Sequence, residues 1–249
     1  MSETEGERWE RLSRDRIVRP MPKRFYKVAS VTDEFGIALD GRGVKTPLKA
    51  KLVLPSRQLA EAIAAEWNAQ AEHIDAAKMP LTKLANTAID RARPERKFVA
   101  GQVLEFAGSD MVYYRAETPE NLRMRQQVSW DPVVAWASEK MQAQFKFASG
   151  VMHQQQKSQT LIAADMYIAS LDPFELTVAH NLTTLTGSAL IGLMLTAKAL
   201  SAEAGWTAAH VEEDFQIETW GQDDEAAARR AFRRIDYDGS LKFLDLCTL

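Results

Sequence analysis

The hydrophobic pattern of this chain of 249 residues changes its period once, at Pro55. Before Pro55, short apolar runs are separated by Asp-Glu and Asp-Gly pairs, a pattern typical of strands and tight turns. After Pro55, apolar residues recur every three or four positions, as they do along one face of a helix. This order of patterns predicts an α+β fold, in which a small N-terminal antiparallel β domain is followed by a larger, mostly α-helical domain.

The β domain is predicted from four apolar runs. They span residues 25–31, 35–39, 44–48 and 52–54. The sequence Asp40-Gly41-Arg42-Gly43 separates the second run from the third, and Asp-Gly suits a tight hairpin because both residues tolerate positive φ. We therefore assign residues 1–22 to a flexible arm, residues 23–55 to the β domain and residues 56–249 to the helical domain.

Helix starts in the second part are predicted from residues that can cap a helix and from prolines. The first apolar stripe is Leu59, Ala60, Ile63, Ala64, Trp67 and Ala71. Candidate N-caps are Ser56, Thr82, Ser158, Ser201 and Thr207. In three dipeptides, Pro follows a capping residue and occupies the predicted first helical position. They are Thr118-Pro119, Asp131-Pro132 and Asp172-Pro173. The last helix is predicted over residues 224–236.

Composition is that of a soluble globular protein, with 46% hydrophobic and 26% charged residues. The net charge of −3 does not indicate a nucleic-acid partner. The longest apolar stretch, residues 189–197, is far shorter than the roughly 20 residues that span a membrane. The single cysteine, Cys247, excludes an internal disulfide and is typical of a reducing compartment. We therefore expect a cytoplasmic protein that is not inserted in a membrane.

The sequence contains no motif that carries catalysis or cofactor binding. No histidine has a His or Cys partner at zinc-binding spacing, and no nucleophile elbow or phosphate-binding loop occurs. The acidic trios at 212–214 and 223–225 could in principle bind a divalent cation, but adjacent helical residues point in different directions. We expect no catalytic residue, no metal site and no cofactor. The alternative is a metal- or small-ligand-dependent enzyme that uses the acidic C-terminal region.

The C-terminal region is the most acidic part of the chain. Residues 201–240 contain ten acidic and four basic residues. A negative field of this kind steers and orients a basic partner. Trp220 precedes Gly221 beside these acidic residues, and it either anchors a partner or covers the core.

A series of short motifs occurs in order between residues 24 and 237. They are Arg24-Phe25-Tyr26-Lys27, Asp40-Gly41-Arg42, Thr46-Pro47, Leu54-Pro55-Ser56, Leu59-Ala60, Glu66-Trp67 with Gln70, Met79-Pro80-Leu81-Thr82, Ala88-Ile89-Asp90, Asp110 with Tyr114-Arg115, Trp130-Asp131-Pro132, Gly187-Ser188, and Glu213 with Gln216 and Trp220-Gly221. With these motifs the chain resembles the ATP synthase assembly chaperones that bind the α subunit, a family of mitochondria and alphaproteobacteria.

The resemblance implies a chaperone that is not an enzyme. Its partner would be the unassembled α subunit of F-type ATP synthase, which it would protect from aggregation, without ATP, until α pairs with β. The resemblance implies that an acidic residue in the last third of the chain is functionally important. The best match in this sequence is Glu213, next to Glu212. We expect Gln216 and Trp220 to complete the partner-binding site.

The resemblance also favours a monomer in the bacterial cytoplasm, with homologues of this type in the mitochondrial matrix. The acidic start of the chain, with Glu3, Glu5 and Glu7, argues against a mitochondrial transit peptide. A further possibility is a structural subunit, which would co-purify stoichiometrically with the finished complex, whereas a chaperone would not.

The first helical stripe yields a prediction. Trp67→Arg should lower Tm by about 5–10 °C, because a guanidinium would replace an apolar side chain at the core. Circular dichroism during heating measures the effect. Glu61→Arg, which lies off the stripe on the same predicted helix, is the control and should leave Tm nearly unchanged. An unchanged Tm for Trp67→Arg would contradict the assignment of Trp67 to the core.

Overall fold

The computed structural model describes residues 21–150 and 154–247, so residues 1–20 of the predicted arm lie outside it. A small antiparallel sheet comes first, in the order β1 (Ala29–Val31), β2 (Ile37–Leu39), β3 (Arg42–Gly43). The α-helices of the described residues are α1 (Arg57–Asn68), α2 (Pro80–Thr87), α3 (Arg96–Gly108), α4 (Glu120–Met141), α5 (Ser158–Ser170), α6 (Pro173–Thr186), α7 (Ala189–Thr196), α8 (Ala202–Ala209), α9 (Val211–Trp220) and α10 (Asp224–Cys247). The predicted α+β fold class is confirmed.

Shorter elements complete the helical part. They are the 3-10 turns Ala76–Lys78 and Met111–Tyr113, the π-helical turn Ala88–Ala92, and a parallel pair of strands, β4 (Tyr114–Arg115) and β5 (Ala148–Ser149). In the described residues, no helix has both the length and the apolar composition needed to cross a bilayer.

The hairpin forms where the sequence predicts it. Asp40 and Gly41 have φ values of 47° and 80°, which is the pair of positive angles that a tight two-residue turn requires. Because the turn uses only these two residues, Arg42 already pairs with Leu39, and β3 begins two residues before the predicted start of the third run. The fourth predicted run contributes a single bridge, between Gly36 and Val53.

Helix α1 covers the sheet and closes one of its edges. Ser56 caps the helix as predicted, accepting a hydrogen bond from the backbone N–H of Leu59. At the other end, the Asn68 amide accepts from the N–H of Ala29 and donates to the C=O of Ala29, both at 2.8 Å. The side chain thereby takes the place of a further strand beside β1. Buried residues of the sheet and of α1 lie in one continuous apolar cluster, and a domain boundary near residue 55 stays a prediction.

Trp67, in the last turn of α1, packs against Tyr26, which precedes β1. It is half-buried, its ring stacks edge-on against Tyr26 at 5.7 Å between centroids, and its carbonyl accepts from the Tyr26 hydroxyl at 2.6 Å. The indole N–H is buried without an acceptor among the described residues. Ala71 lies beyond the end of α1 and is exposed, so the stripe ends earlier than predicted.

Helix α2 starts at Pro80, and the predicted cap Thr82 lies inside it. Met79 precedes the helix and has no side-chain oxygen that could accept hydrogen bonds from the free N–H groups in the first turn of α2. Glu66 of α1 supplies the oxygens instead, accepting from the backbone N–H groups of Leu81 and Thr82 at 2.8 Å each. The cap is therefore provided by a residue from another helix, which the local sequence does not reveal.

Asp131-Pro132 does not start a helix, in contrast to the prediction. Pro132 lies within the continuous helix α4, although proline removes a backbone hydrogen bond there. The helix continues because its neighbours are fixed in the core: Trp130 is buried and donates to the carbonyl of Ala208 at 2.7 Å. Asp131 pairs with Arg115 at 2.6 Å and caps nothing. Pro119 itself is the N-cap, so α4 begins one residue later than predicted.

The other predicted caps give mixed outcomes. Asp172 forms a complete capping box with Glu175, and Ser201 caps α8, as predicted. Ser158 is the first residue of α5 and Thr207 lies inside α8, so both predictions were wrong. The last helix extends to Cys247, well past the predicted residue 236, because its final turns are held in the core. The buried residues of this part are Tyr237, Gly239, Ser240, Phe243 and Leu244.

Asp110 joins two distant elements in the interior. It is almost fully buried, and its carboxylate accepts from the N–H of Val112 at 3.2 Å and from the N–H of Leu190, at the start of α7, at 2.9 Å. Burial raises the pKa of Asp110 to about 6, and the hydrogen bonds that it accepts limit the rise.

The raised pKa of Asp110 predicts a pH dependence of stability. Because the folded chain binds this proton more tightly than the unfolded chain, the contribution of Asp110 to stability increases as the pH falls. The free energy of unfolding of wild type minus that of Asp110→Asn should rise by about 2 kcal/mol between about pH 7.5 and about pH 4.5. Urea denaturation measures it, with Asp165→Asn on the exposed side of α5 as control. A difference independent of pH would contradict the assignment.

Candidate partner-binding site

Helix α9 carries all four residues that the sequence predicts as the partner-binding site. It begins at Val211, and its first turn holds three acidic residues, which favourably meet the positive end of the helix dipole. It ends at Gly221, whose φ of 92° is unfavourable for other residues. The buried side of the helix, at Val211, packs toward α4.

The four residues share one side of α9. Glu213, Gln216 and Trp220 follow Glu212 by one, four and eight positions. Around the axis of an α-helix, these positions lie within an arc of about 100°. Trp220 is 76% exposed, Glu212 and Gln216 are exposed, and the Glu213 side chain is 35% exposed. We call this set of four side chains, Glu212, Glu213, Gln216 and Trp220, the α9 ridge.

The two glutamates of the ridge differ in their surroundings. Glu212 accepts a hydrogen bond at 2.8 Å from the amide of Gln126, a residue of α4 that is fully buried. Glu213 lies 3.9 Å from Nε2 of His210 and 3.9 Å from the guanidinium of Arg230. Burial lowers the pKa of His210, so its ring is neutral near pH 7 and leaves Arg230 as the cation nearest to Glu213. Neither glutamate is tied down by a close ion pair in these contacts.

Close ion pairs hold the other acidic residues of α9. Asp214 pairs with Arg230 of α10 at 2.5 Å, and Glu218 pairs with Arg125 of α4 at 2.6 Å. The hydrogen bond from Arg125 lowers the pKa of Glu218, which therefore stays ionised at neutral pH. Arg125 also lies over the ring of Phe215, at 5.5 Å from its centroid. These contacts fix one face of α9 against α4 and α10.

A cluster around Trp206 supports the base of α9. The ring of Trp206 stacks on His210 at 4.1 Å and meets Tyr237 at 4.9 Å, and the guanidinium of Arg234 lies 5.2 Å from its centroid. The cluster joins α8, α10 and the residue before α9. The ridge therefore projects from a rigid support.

Two hollows border α9. One, of about 370 Å³, lies between α4 and α9 and includes the apolar side chains of Met124, Val128 and Val211. Met124 and Val128 are 57% and 78% exposed, which is unusual for two large apolar residues one helical turn apart. The other, of about 380 Å³, lies beside Glu212 and includes Arg115. The first hollow is lined from α9 by Val211, Asp214 and Glu218, which lie on the side of the helix away from the ridge, whereas the second hollow reaches the ridge at Glu212.

Cys247 and His210 lie in surroundings that disfavour reactivity. Burial raises the pKa of the Cys247 thiol to about 12, which keeps it protonated and weakly nucleophilic. The His210 ring is buried and bonded through Nδ1 to the carbonyl of Trp206 at 2.8 Å. Within residues 21–150 and 154–247, no three His, Cys, Asp or Glu side chains converge to hold a metal ion.

Sequence reasoning missed the exposed apolar residues of α4 beside α9. Met124 and Val128 stand four positions apart, and that apolar spacing was a usable signal. It also missed that Arg230 and Arg234 of α10 pair with side chains of α9 and α8.

Comparisons with known proteins agree over nearly the whole chain. The family model described as ATP12 chaperone protein matches residues 23–138. The structure of Atp12 from Paracoccus denitrificans is 36% identical, with a TM-score of 0.85, over 91% of this chain and 99% of that one. An aspartate-to-lysine mutant of Atp12p from the same organism gives 37% identity and a TM-score of 0.85, over 91% of this chain and 98% of that one. The chaperone candidate Atu1473 of Agrobacterium tumefaciens is 40% identical at a TM-score of 0.85, over 92% of this chain and 87% of that one.

The exposure of Trp220 yields a prediction about stability. Trp220→Ala should change the free energy of unfolding by less than about 0.5 kcal/mol, because the ring covers little of the core. Trp206→Ala, at the buried cluster, should lower it by about 3–5 kcal/mol. Urea denaturation of both variants measures the difference, and a large loss for Trp220→Ala would mean that this residue covers the core.

Proposed function

The chain belongs to the ATP12 chaperone family, and from that premise we propose that it is an ATP-independent assembly chaperone for the unassembled α subunit of F-type ATP synthase. In this proposal the chain binds free α, prevents its aggregation and releases it to the β subunit. The observation that carries the proposal is the match to Paracoccus denitrificans Atp12 at 36% identity over 91% of the chain.

The α9 ridge is our proposed contact with the α subunit. An unassembled subunit exposes an apolar interface that would otherwise aggregate. Trp220 offers a large, rigid and exposed side chain of the type that anchors protein interfaces. Glu212 and Glu213 beside it add negative charge, which favours a partner surface with basic residues and disfavours other sticky surfaces.

We propose a second contact at the apolar hollow between α4 and α9, which lies on the side of α9 away from the ridge. Met124 and Val128 lie exposed across the hollow from α9, and Arg125 and Glu218 close one part of it with their ion pair. An apolar surface with a charged border suits a partner that must be held and later released. Because the surface is already ordered by ion pairs, little conformational entropy is lost when a partner binds.

Release in this proposal needs no nucleotide. The β subunit would compete for the same surface of α, and the chaperone dissociates when β binds that surface more tightly. No bond is made or broken, so the chain acts as a binding protein and not as an enzyme. A cytoplasmic location and a monomeric state stay predictions.

We expect Glu213→Lys to abolish binding to α while leaving the fold nearly intact. A lysine at this position would lie near Arg230 and would reverse the charge of the ridge where it meets a basic partner. Each variant is co-expressed with the α subunit in cells that lack β, and the soluble α that co-purifies is measured. Trp220→Ala should reduce co-purification by about tenfold or more, in line with the loss of an interface anchor.

Glu105→Lys is the matched control, because it reverses an exposed carboxylate on α3. It should co-purify as much α as wild type. Co-purification of α with Glu213→Lys at wild-type yield would refute the proposed contact. If purified wild-type chain fails to keep free α soluble in the absence of nucleotide, the chaperone proposal itself is wrong. A large thermal shift with a divalent cation would instead favour the enzyme alternative.

A further inference from the structure

A second hollow lies in the β part of the chain, and it shares no residue with the α9 ridge. Its volume is about 600 Å³. Its walls come from the segment before β1, from the hairpin and from α1. The lining residues used below are Phe25, Tyr26, Asp40, Arg42, Lys45 and Trp67.

The aromatic side of this hollow is rigid. Phe25 meets Tyr26 edge-on at 5.5 Å, Tyr26 meets Trp67 at 5.7 Å, and the Tyr26 hydroxyl donates to the carbonyl of Trp67. The guanidinium of Arg24 lies 4.7 Å from the Tyr26 centroid and donates to the carbonyls of Tyr26 and Lys27 at 3.1 and 2.7 Å. These contacts hold the aromatic rings in place without a ligand.

One feature of the aromatic side calls for a partner. Phe25 is a large apolar residue, yet it is 74% exposed, and an incoming apolar group would cover it. The indole N–H of Trp67 is buried without an acceptor in the described part of the chain, so it is closed to a ligand and serves only as a nearby reporter of binding.

The opposite side of the hollow is positively charged. Arg42 and Lys45 line it and are exposed. Asp40 also lines the hollow. Its carboxylate accepts hydrogen bonds from the backbone N–H groups of Lys27 at 3.0 Å and Val28 at 2.9 Å, and these bonds fix its position. The hollow therefore combines an aromatic wall with a cationic one.

We propose that this hollow binds an acidic polypeptide segment that carries a large apolar side chain. The apolar side chain lies against Phe25 and Trp67, and flanking carboxylates meet Arg42 and Lys45. The aromatic wall favours a polypeptide over a small inorganic anion, which would contact only the two cations. The inference rests on the proposed function only in that a chaperone's ligand is a polypeptide.

Short peptides test the proposal on the full chain. The probe is acetyl-Glu-Glu-Phe-Glu-Glu-amide, and the readout is the ¹H–¹⁵N resonance of the Trp67 indole, assigned with Trp67→Phe. Saturable movement of this resonance is the expected result. Acetyl-Glu-Glu-Ala-Glu-Glu-amide and acetyl-Lys-Lys-Phe-Lys-Lys-amide should bind at least about tenfold more weakly, because each lacks one of the two matched features.

Two double variants separate the hollow from general charge effects. Arg42→Glu with Lys45→Glu should weaken binding of the acidic peptide by about tenfold or more. Lys97→Glu with Lys140→Glu changes the net charge equally on exposed residues of α3 and α4 that do not line the hollow, and it should leave the affinity within about twofold of wild type. All four positions are exposed, so both variants should keep the wild-type melting temperature.

Three outcomes would overturn the inference. The first is a Trp67 resonance that does not move with the acidic peptide. The second is equal weakening by both double variants, which would indicate diffuse charge attraction. The third is an equal saturable shift with inorganic phosphate, which would indicate a small-anion site. None of these outcomes bears on whether α co-purifies through the α9 ridge, so failure here is distinguishable from failure of the proposed function.

Discussion

Buried or half-buried carboxylates that accept hydrogen bonds from distant segments are the interaction on which this fold depends. Glu66 caps α2 from α1, and Asp110 caps α7 from the turn after α3. Asp90 accepts from the hydroxyl of Thr46 at 2.6 Å and from the N–H of Leu48 at 2.9 Å, which ties the β part to the helical part. The caps satisfy free N–H groups of helix ends, and each bond fixes the relative position of two elements.

The carboxylates that join distant elements also belong to the motifs that carry the resemblance to the family. Glu66, Asp90 and Asp110 are among these motifs, and so is Arg115. The guanidinium of Arg115 donates to the carbonyl of Val112 at 2.5 Å and lies 5.2 Å from the centroid of Trp130. These residues therefore report on the shared architecture. Most of the partner recognition that we propose depends instead on exposed side chains supported by that architecture.

Contacts beneath the surface hold the α9 ridge in a fixed position. Arginines from α4 and α10 hold one face of α9 through Glu218 and Asp214, and the aromatic cluster at Trp206 supports its base. Glu213 and Trp220 then project from a fixed helix. A holding chaperone benefits from this arrangement, because an ordered surface costs less to bind and its charges discriminate between partners.

Sequence alone determined the features that depend on a few neighbouring residues. The change of period at Pro55, the Asp40-Gly41 turn and the capping box at Asp172 are of this kind, since each is governed by backbone preferences and local hydrogen bonds. The choice of Glu213 and its neighbours as the partner-binding site came instead from the resemblance to the family, and it stays a prediction, although the four residues share one side of α9.

Only the tertiary structure decided where distant burial outweighed a local signal. Pro132 stays inside α4 because Trp130 is anchored to the carbonyl of Ala208 in α8, and α10 continues to Cys247 because its last turns are buried. The exposure of Trp220, and the exposed position of Met124 and Val128 across the hollow from α9, likewise follow from how α9 packs against α4. These outcomes depend on contacts between residues tens of positions apart, and no pattern within one helix encodes such contacts.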